Sequence, residues 1–292
     1  MGKTRAILII CTLILSGPVF AQYDFYNKPK VEKFAYIGGS YFFGDIGGRQ
    51  KNSVLLFGYE DLDLSATKPC LGAGIRQNFN QLLALRTGLS YVYLEQSDAN
   101  SYSTSRHPRN LSFRTHILEA SALIEFRVAK FNLNTKKRRS SWEYYVFGGL
   151  GGFYYSPQAK YKTRYVSLRP LTTEGQGLKP GTKPYSLVDI AIPIGGGLRY
   201  GYGFGNTVYV EMGYRATNTD YIDDVSTSYY SREELLINRG RVSAAMSYRG
   251  DEDQYKAGRD RGSRFNKDHY FLINIGLSMP LRSRKPIWFQ GK

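Results

Sequence analysis

Leu118-Glu119-Ala120-Ser121-Ala122-Leu123-Ile124-Glu125-Phe126-Arg127-Val128 reads with a period of two. Leu118, Ala120, Ala122, Ile124, Phe126 and Val128 share one face of an extended segment, and Glu119, Ser121, Glu125 and Arg127 share the other. Successive side chains of a strand point to opposite sides, so this is a strand with one apolar and one charged face. Outward from it the pattern recurs. Leu83, Leu85, Leu89, Tyr91 and Tyr93 oppose Ala84, Arg86, Gly88 and Ser90 in 82–95, and Ile190, Ile192, Ile194, Leu198 and Tyr200 oppose Asp189, Gly195, Gly197 and Arg199 in 185–200. Val208, Val210, Met212 and Tyr214 oppose Tyr209, Glu211, Gly213 and Arg215 in 207–217, and Phe271, Ile273, Ile275 and Leu277 oppose Tyr270, Asn274, Gly276 and Ser278 in 268–281. Segments 34–42, 68–78, 111–128 and 142–156 complete eight predicted strands, of which 142–156 fits either face because its paired glycines and aromatics do not alternate cleanly.

Alternation alone would also suit a secreted sandwich of two sheets. The connections separate the two readings: those after odd-numbered strands (43–67, 96–110, 157–184 and 218–267) are long, whereas 79–81 and 201–206 are short. That asymmetry predicts an all-β, eight-stranded antiparallel transmembrane β-barrel, with long extracellular loops and short periplasmic turns. Beyond residue 21 no apolar run approaches the roughly 18 to 20 residues of a membrane helix, which excludes a helical membrane protein. Among 25 Tyr, 16 Phe and 2 Trp, the tyrosines cluster at strand ends, where membrane interfaces favour them.

Lys3 and Arg5, the apolar run Ala6–Leu15 and Val19-Phe20-Ala21 predict a cleaved secretory signal peptide at 1–21. The expected organisation is then a periplasmic N-terminal segment at 22–33, a barrel at 34–281 and a basic periplasmic tail at 282–292, in the outer membrane of a Gram-negative cell. Cys11 leaves with the signal, so Cys70 is the one remaining thiol and no internal disulfide forms.

The charged faces place Arg76, Arg86, Arg127, Arg199 and Arg215 in the interior with Glu119, Glu125, Asp189 and Glu211. An eight-stranded barrel is just wide enough for its side chains to fill, and unpaired charge there would be costly. Near-balance therefore predicts paired networks and a core, not a pore. Loss of Lys3 and Arg5 lowers the formal charge from +16 to +14. Most of that excess falls on the periplasmic side, in Lys136, Lys137, Arg138 and Arg139 and in Arg282, Arg284 and Lys285, which strand order brings to one rim. Outer-membrane lipid and an acidic periplasmic partner are the counterparts this predicts, and nucleic acid is not.

No catalytic residues, metal site or cofactor are expected. His107, His116 and His269 lack ligand spacing. Ser112, Arg114, His116 and Glu95 fall near one rim, the arrangement a lipid-modifying enzyme would need. Asp220, Asp223 and Asp224 are a weak calcium candidate, since turn-forming aspartates explain them equally. Ser231–Asn238 predicts a short helix with a serine cap inside the long last loop.

Tyr36-Ile-Gly-Gly-Ser-Tyr-Phe-Phe-Gly-Asp-Ile-Gly-Gly48 and Glu211-Met-Gly-Tyr-Arg-Ala-Thr-Asn-Thr-Asp-Tyr-Ile-Asp-Asp-Val-Ser-Thr-Ser-Tyr229 resemble the PorG-like outer-membrane barrels of the Bacteroidetes type IX secretion system. The resemblance implies a non-enzymatic accessory of a protein secretion machine, associated with a periplasmic ring of PorK- and PorN-like subunits. A free-standing surface barrel for adhesion or host-factor resistance is the alternative.

Overall fold

The alternating stretch 118–128 lies in the middle of a 24-residue strand. In the computed structural model, the residues described are 31–47, 66–101, 106–135, 138–203, 205–250, 256–263 and 266–281. The strands are β1 Val31–Phe43, β2 Lys68–Asn78, β3 Leu83–Ser97, β4 Ser112–Thr135, β5 Arg138–Tyr161, β6 Arg164–Ser167, β7 Val188–Gly203, β8 Asn206–Thr217 and β9 His269–Pro280. Every neighbour is antiparallel, and the ring β1-β2-β3-β4-β5-β7-β8-β9 closes because β1 pairs with both β2 and β9. Closure removes the free edges that would otherwise recruit another strand. β6 is an appendage, hydrogen-bonded to β5 alone between Gln158↔Ser167 and Tyr161↔Arg164.

Several boundaries differ from the sequence reading: β5 extends to Tyr161 instead of ending at 156, and β7 spans Val188–Gly203 instead of 185–200. β1 begins at Val31, not at 34, which brings Glu32 into the barrel. Residues 129–141, the connection between predicted strands 111–128 and 142–156, are largely ladder: β4 and β5 stay paired down to Thr135↔Arg138. The cause is a β-bulge between Arg127 and Ala129. One extra residue flips the side-chain parity, so the strict alternation that marks a strand stops in the sequence while the strand continues.

Along the wall, outward side chains are apolar and exposed. Ile37, Leu71, Leu89, Leu118, Leu150, Ile190, Met212 and Ile275 form a continuous belt. Tyr144, Trp142, Tyr200 and Tyr202 flank it at the turn end, and Tyr91, Tyr93, Tyr154 and Tyr214 toward the loop end. Burial also resolves β5: Glu143, Tyr145, Phe147, Phe153 and Tyr155 point inward, Trp142, Tyr144, Val146, Leu150 and Tyr154 outward.

The loop end is covered. Phe42, Leu94, Phe113, Ile117, Phe153 and Tyr270 from the barrel pack in one apolar cluster with Ile46, Leu168, Tyr185, Ile222, Val225 and Met246 from the loops. Within the loop 218–268 lie helices α1 (Arg232–Arg239) and α2 (Arg241–Ser247). α1 starts where the sequence placed a cap, the Ser231 hydroxyl accepting from the Glu234 amide at 3.3 Å.

Candidate functional site

Inside the turn-end half of the barrel, inward positions of seven strands converge in one ion-pair network. Arg76 donates from Nε to Glu125 at 3.1 Å and from Nη1 to Glu32 at 3.0 Å. Arg199 reaches the other Glu125 oxygen at 2.6 Å and Glu143 at 2.9 Å. Glu143 in turn lies 2.8 Å from Arg127 Nε. Arg127 also donates to the carbonyls of Asn80 and Gln81 at 2.9 and 3.1 Å, tying β4 to the β2–β3 turn. Arg86 grips Glu211 with both terminal nitrogens at 2.6 and 3.1 Å, the two-pronged geometry that suits a guanidinium and a carboxylate. Toward the loop end Arg215 lies 3.6 Å from Glu119, which accepts from the Tyr270 hydroxyl at 2.6 Å.

Aromatic rings line the spaces between charges. The Arg86 guanidinium lies 4.8 Å from the Phe147 ring centre and that of Arg199 4.5 Å from Tyr145, contacts that stabilise desolvated cations. The five arginines Arg76, Arg86, Arg127, Arg199 and Arg215 thus meet five glutamates, Glu32, Glu119, Glu125, Glu143 and Glu211. The sequence had paired the same cations with Asp189, but that residue sits half-buried near the loop end of β7 and accepts from the Ile190 amide. Glu32 and Glu143 take its place. Continuing the Tyr36, Phe34 alternation one step outward reveals Glu32, whereas Glu143 was hidden by the ambiguous parity of its strand.

Over the loop end sits a second polar centre, and aspartates dominate it. Asp223 accepts the amides of Asp45 at 3.1 Å, Ile46 at 2.9 Å and Val225 at 2.9 Å, and Asp45 accepts that of Ser263 at 2.7 Å. Asp268 accepts the Ile222 amide at 2.8 Å. Burial, reinforced by their neighbouring carboxylates, pushes the carboxyls of Asp223 and Asp268 well above the usual range. Burial raises Asp220 to about 7 and Asp224 to about 6. Asp224 turns away from the others to the hydroxyls of Tyr185 and Thr173, each at 2.6 Å, and to Arg261 at 3.6 Å. The three aspartates of the calcium candidate therefore have different surroundings, and among the described residues no group of three His, Cys, Asp or Glu could hold a metal ion. Two buried arginines stitch the cap: Arg109 pairs with Asp98 at 2.6 Å, and Arg261 with Glu174 at 3.1 Å. No periodic signal announces Asp45, Glu174 or Arg261, because their partners come from different loops or from distant parts of one loop.

The residues of the rim constellation have separate partners. His116 Nδ1 is 2.6 Å from the Tyr91 hydroxyl, Ser112 accepts from Arg249 at 2.7 Å, and Glu95 pairs with Lys68 at 3.0 Å. His107 lies in a short 3-10 turn over His107–Arg109, and His269 opens β9. Cys70 is buried beside Asn274, its thiol 3.2 Å from Oδ1. Of the basic rim residues, Arg138 and Arg139 begin β5, paired with Thr135 and Asn134. Lys136, Lys137, Arg282, Arg284 and Lys285 lie outside the described residues.

A closed antiparallel ring of eight strands, apolar outside and filled by balanced ion pairs inside, defines a β-barrel of the outer-membrane type. The chain belongs to the family described as Domain of unknown function (DUF6089), whose model matches residues 19–235. No curated protein matches it in sequence. Among solved structures it is similar to the N-terminal β-barrel domain of Pseudomonas aeruginosa OprF, at 10% identity and TM-score 0.29 over 86% of this chain and 98% of that one. It is similar also to Ail, the attachment invasion locus protein of Yersinia pestis, in two structures. One, in complex with the heparin analogue sucrose octasulfate, gives 10% identity and TM-score 0.32, and the other 11% and 0.31, each over 87% of this chain and 100% of that one. At such scores the likeness carries no functional argument.

Proposed function

We propose that the protein is a non-enzymatic outer-membrane barrel that acts as a docking component of a type IX protein secretion machine, its partners being the periplasmic ring subunits. The observation that carries this reading is the β4–β5 hairpin. Leu83 pairs with Phe126, so the β2–β3 turn ends near that level, yet the β4–β5 ladder continues to Thr135↔Arg138. On this turn end, the periplasmic end of barrels with this loop asymmetry, Arg138 and Arg139 open β5, and in the sequence they complete the basic run Lys136-Lys-Arg-Arg139. A basic run at the periplasmic end suits an acidic protein face, steering association and making it salt-dependent.

Reversing Lys136, Lys137, Arg138 and Arg139 to Glu should abolish copurification of the ring subunits in mild detergent while leaving the barrel folded. Ring subunits retained at normal yield and with unaltered salt dependence would overturn the dock. A second reading, a free-standing surface barrel that works through its outer loops, draws on the cap, where loop residues are fixed to the barrel by the Arg109–Asp98 and Arg261–Glu174 pairs. Under that reading the wild-type protein brings no periplasmic partner.

A further inference from the structure

The lipid-facing wall of β2 to β7 is uneven. Ala73, Leu89, Ala120, Gly152 and Ile190 are opposite one another in turn across five strands, and the small residues among them leave a shallow apolar cleft of about 750 Å³. Six residues toward the loop end on β4 and β5, Arg114 stands opposite Gln158. Its guanidinium donates from Nε and Nη2 to Gln158 Oε1 at 3.1 and 2.9 Å and lies 3.2 Å from the centre of the Tyr165 ring. Tyr165 is opposite Lys160, which is exposed. Side chains two apart on a strand share a face, so Arg114, Gln158, Lys160 and Tyr165 form one patch on the belt side of the sheet.

The patch is cationic and held in place. Glu95, across the ladder from Arg114, is occupied by Lys68 at 3.0 Å and by the Tyr93 hydroxyl at 3.1 Å. The segment 157–187 that follows adds Lys162, Arg164, Arg169, Lys179 and Lys183 against a lone acid, Glu174, which is buried on Arg261. Six residues of strand span about 20 Å, or about 15 Å along the membrane normal at an ordinary barrel tilt, which is half the roughly 30 Å hydrocarbon core. The patch therefore lies about half the hydrocarbon thickness beyond the cleft toward the loop end, which brings it to the headgroup side of the apolar belt. Leu118 and Tyr154 stand opposite each other between them, 59% and 44% exposed, giving an apolar path from one to the other.

We propose that this wall is a binding site for one phosphate-bearing lipid of the outer leaflet. Arg114 and Lys160 hold its headgroup, and an acyl chain lies over Leu118 and in the cleft below. The site is independent of whatever partner the basic hairpin takes. The test is native mass spectrometry of the full chain in uncharged detergent, titrated with bis-phosphorylated lipid A and with the same lipid stripped of its phosphates. Wild-type protein should retain the phosphorylated form about thirtyfold more tightly. Arg114→Gln with Lys160→Gln should abolish that preference, and Ala120→Phe, which fills the cleft, should weaken both forms alike. Heat-modifiable gel mobility checks that each variant is folded. Equal retention of the two lipids by the wild type, wild-type behaviour of the double variant, or displacement of the lipid by inorganic phosphate alone would each overturn the site. The first of these needs no variant.

Discussion

Arg76 and Arg86 stand directly opposite one another on adjacent strands, both pointing into the barrel. Like charges so placed repel, and burial intensifies the repulsion. What permits the pair is a third strand. Glu125 lies 3.1 Å from Arg76 and 3.9 Å from Arg86, while Glu32 pairs with Arg76 and Glu211 with Arg86 from either side. The interior is thus a lattice in which each charge depends on strands distant in sequence, and the ring closes around it.

Glu125 is the node with the most dependents, since Arg76, Arg86 and Arg199 all draw on it. Glu125→Gln should destabilise the barrel by about 3–5 kcal/mol, because it strands buried cations without a counter-charge. Glu125→Arg should be worse still. Urea unfolding followed by heat-modifiable gel mobility reads both, and a variant that melts with the wild type would count against the lattice.

Arg127→Leu tests the turn end of the same lattice. It leaves Glu143 without one of its two cations and the Asn80 and Gln81 carbonyls without their donor, so a loss similar to that of Glu125→Gln is expected. Arg215→Leu should likewise destabilise by exposing Glu119 to a site with Tyr270 as its remaining hydrogen-bond donor. Asp189→Asn supplies the control. It carries no ion pair among the described residues, so its midpoint should stay within about 0.5 kcal/mol of wild type.

The cap should respond to pH in one direction. Folded carboxyls at Asp220 and Asp224 are raised to about 7 and about 6 from the usual 3.8, and those of Asp223 and Asp268 are raised well above it. A group with a raised folded pKa holds a proton in the closed cap that it releases on opening. The closed state is therefore favoured most below about pH 4 and loses stability as pH rises through 6 and 7, by up to tenfold in the closed-to-open ratio per pH unit and proton, about 1.4 kcal/mol. Amide exchange of 220–226 should accelerate from pH 5 to pH 8 beyond its intrinsic pH dependence, and Asp223→Asn should flatten the response. Slower opening at higher pH would contradict the assignment.

Strand identity, parity and the cationic half of the interior were legible because a wall with lipid on one side and charge on the other writes itself as a period of two. Leu118–Val128 is the clearest instance, and its inward Glu119, Glu125 and Arg127 are all in place. The reading stopped where the period did. The bulge at Arg127–Ala129 concealed the long hairpin, and the glycines of β5 concealed Glu143. The cap left even less trace, since Asp45, Glu174, Asp223 and Arg261 meet only after three loops have folded over the mouth, and no local pattern encodes such a meeting. Ser231 is the exception, for a helix cap is a local device.

Conductance tests the central claim, a barrel filled by its own neutralised charges and closed by its own loops. Purified protein reconstituted in planar bilayers should give no stable openings at ordinary ionic strength, because Arg76, Arg127, Arg215, Tyr145, Tyr209 and Tyr270 are fully buried along the interior. Large, long-lived channels recorded from the folded, heat-modifiable species would contradict the claim and make the lumen a conduit.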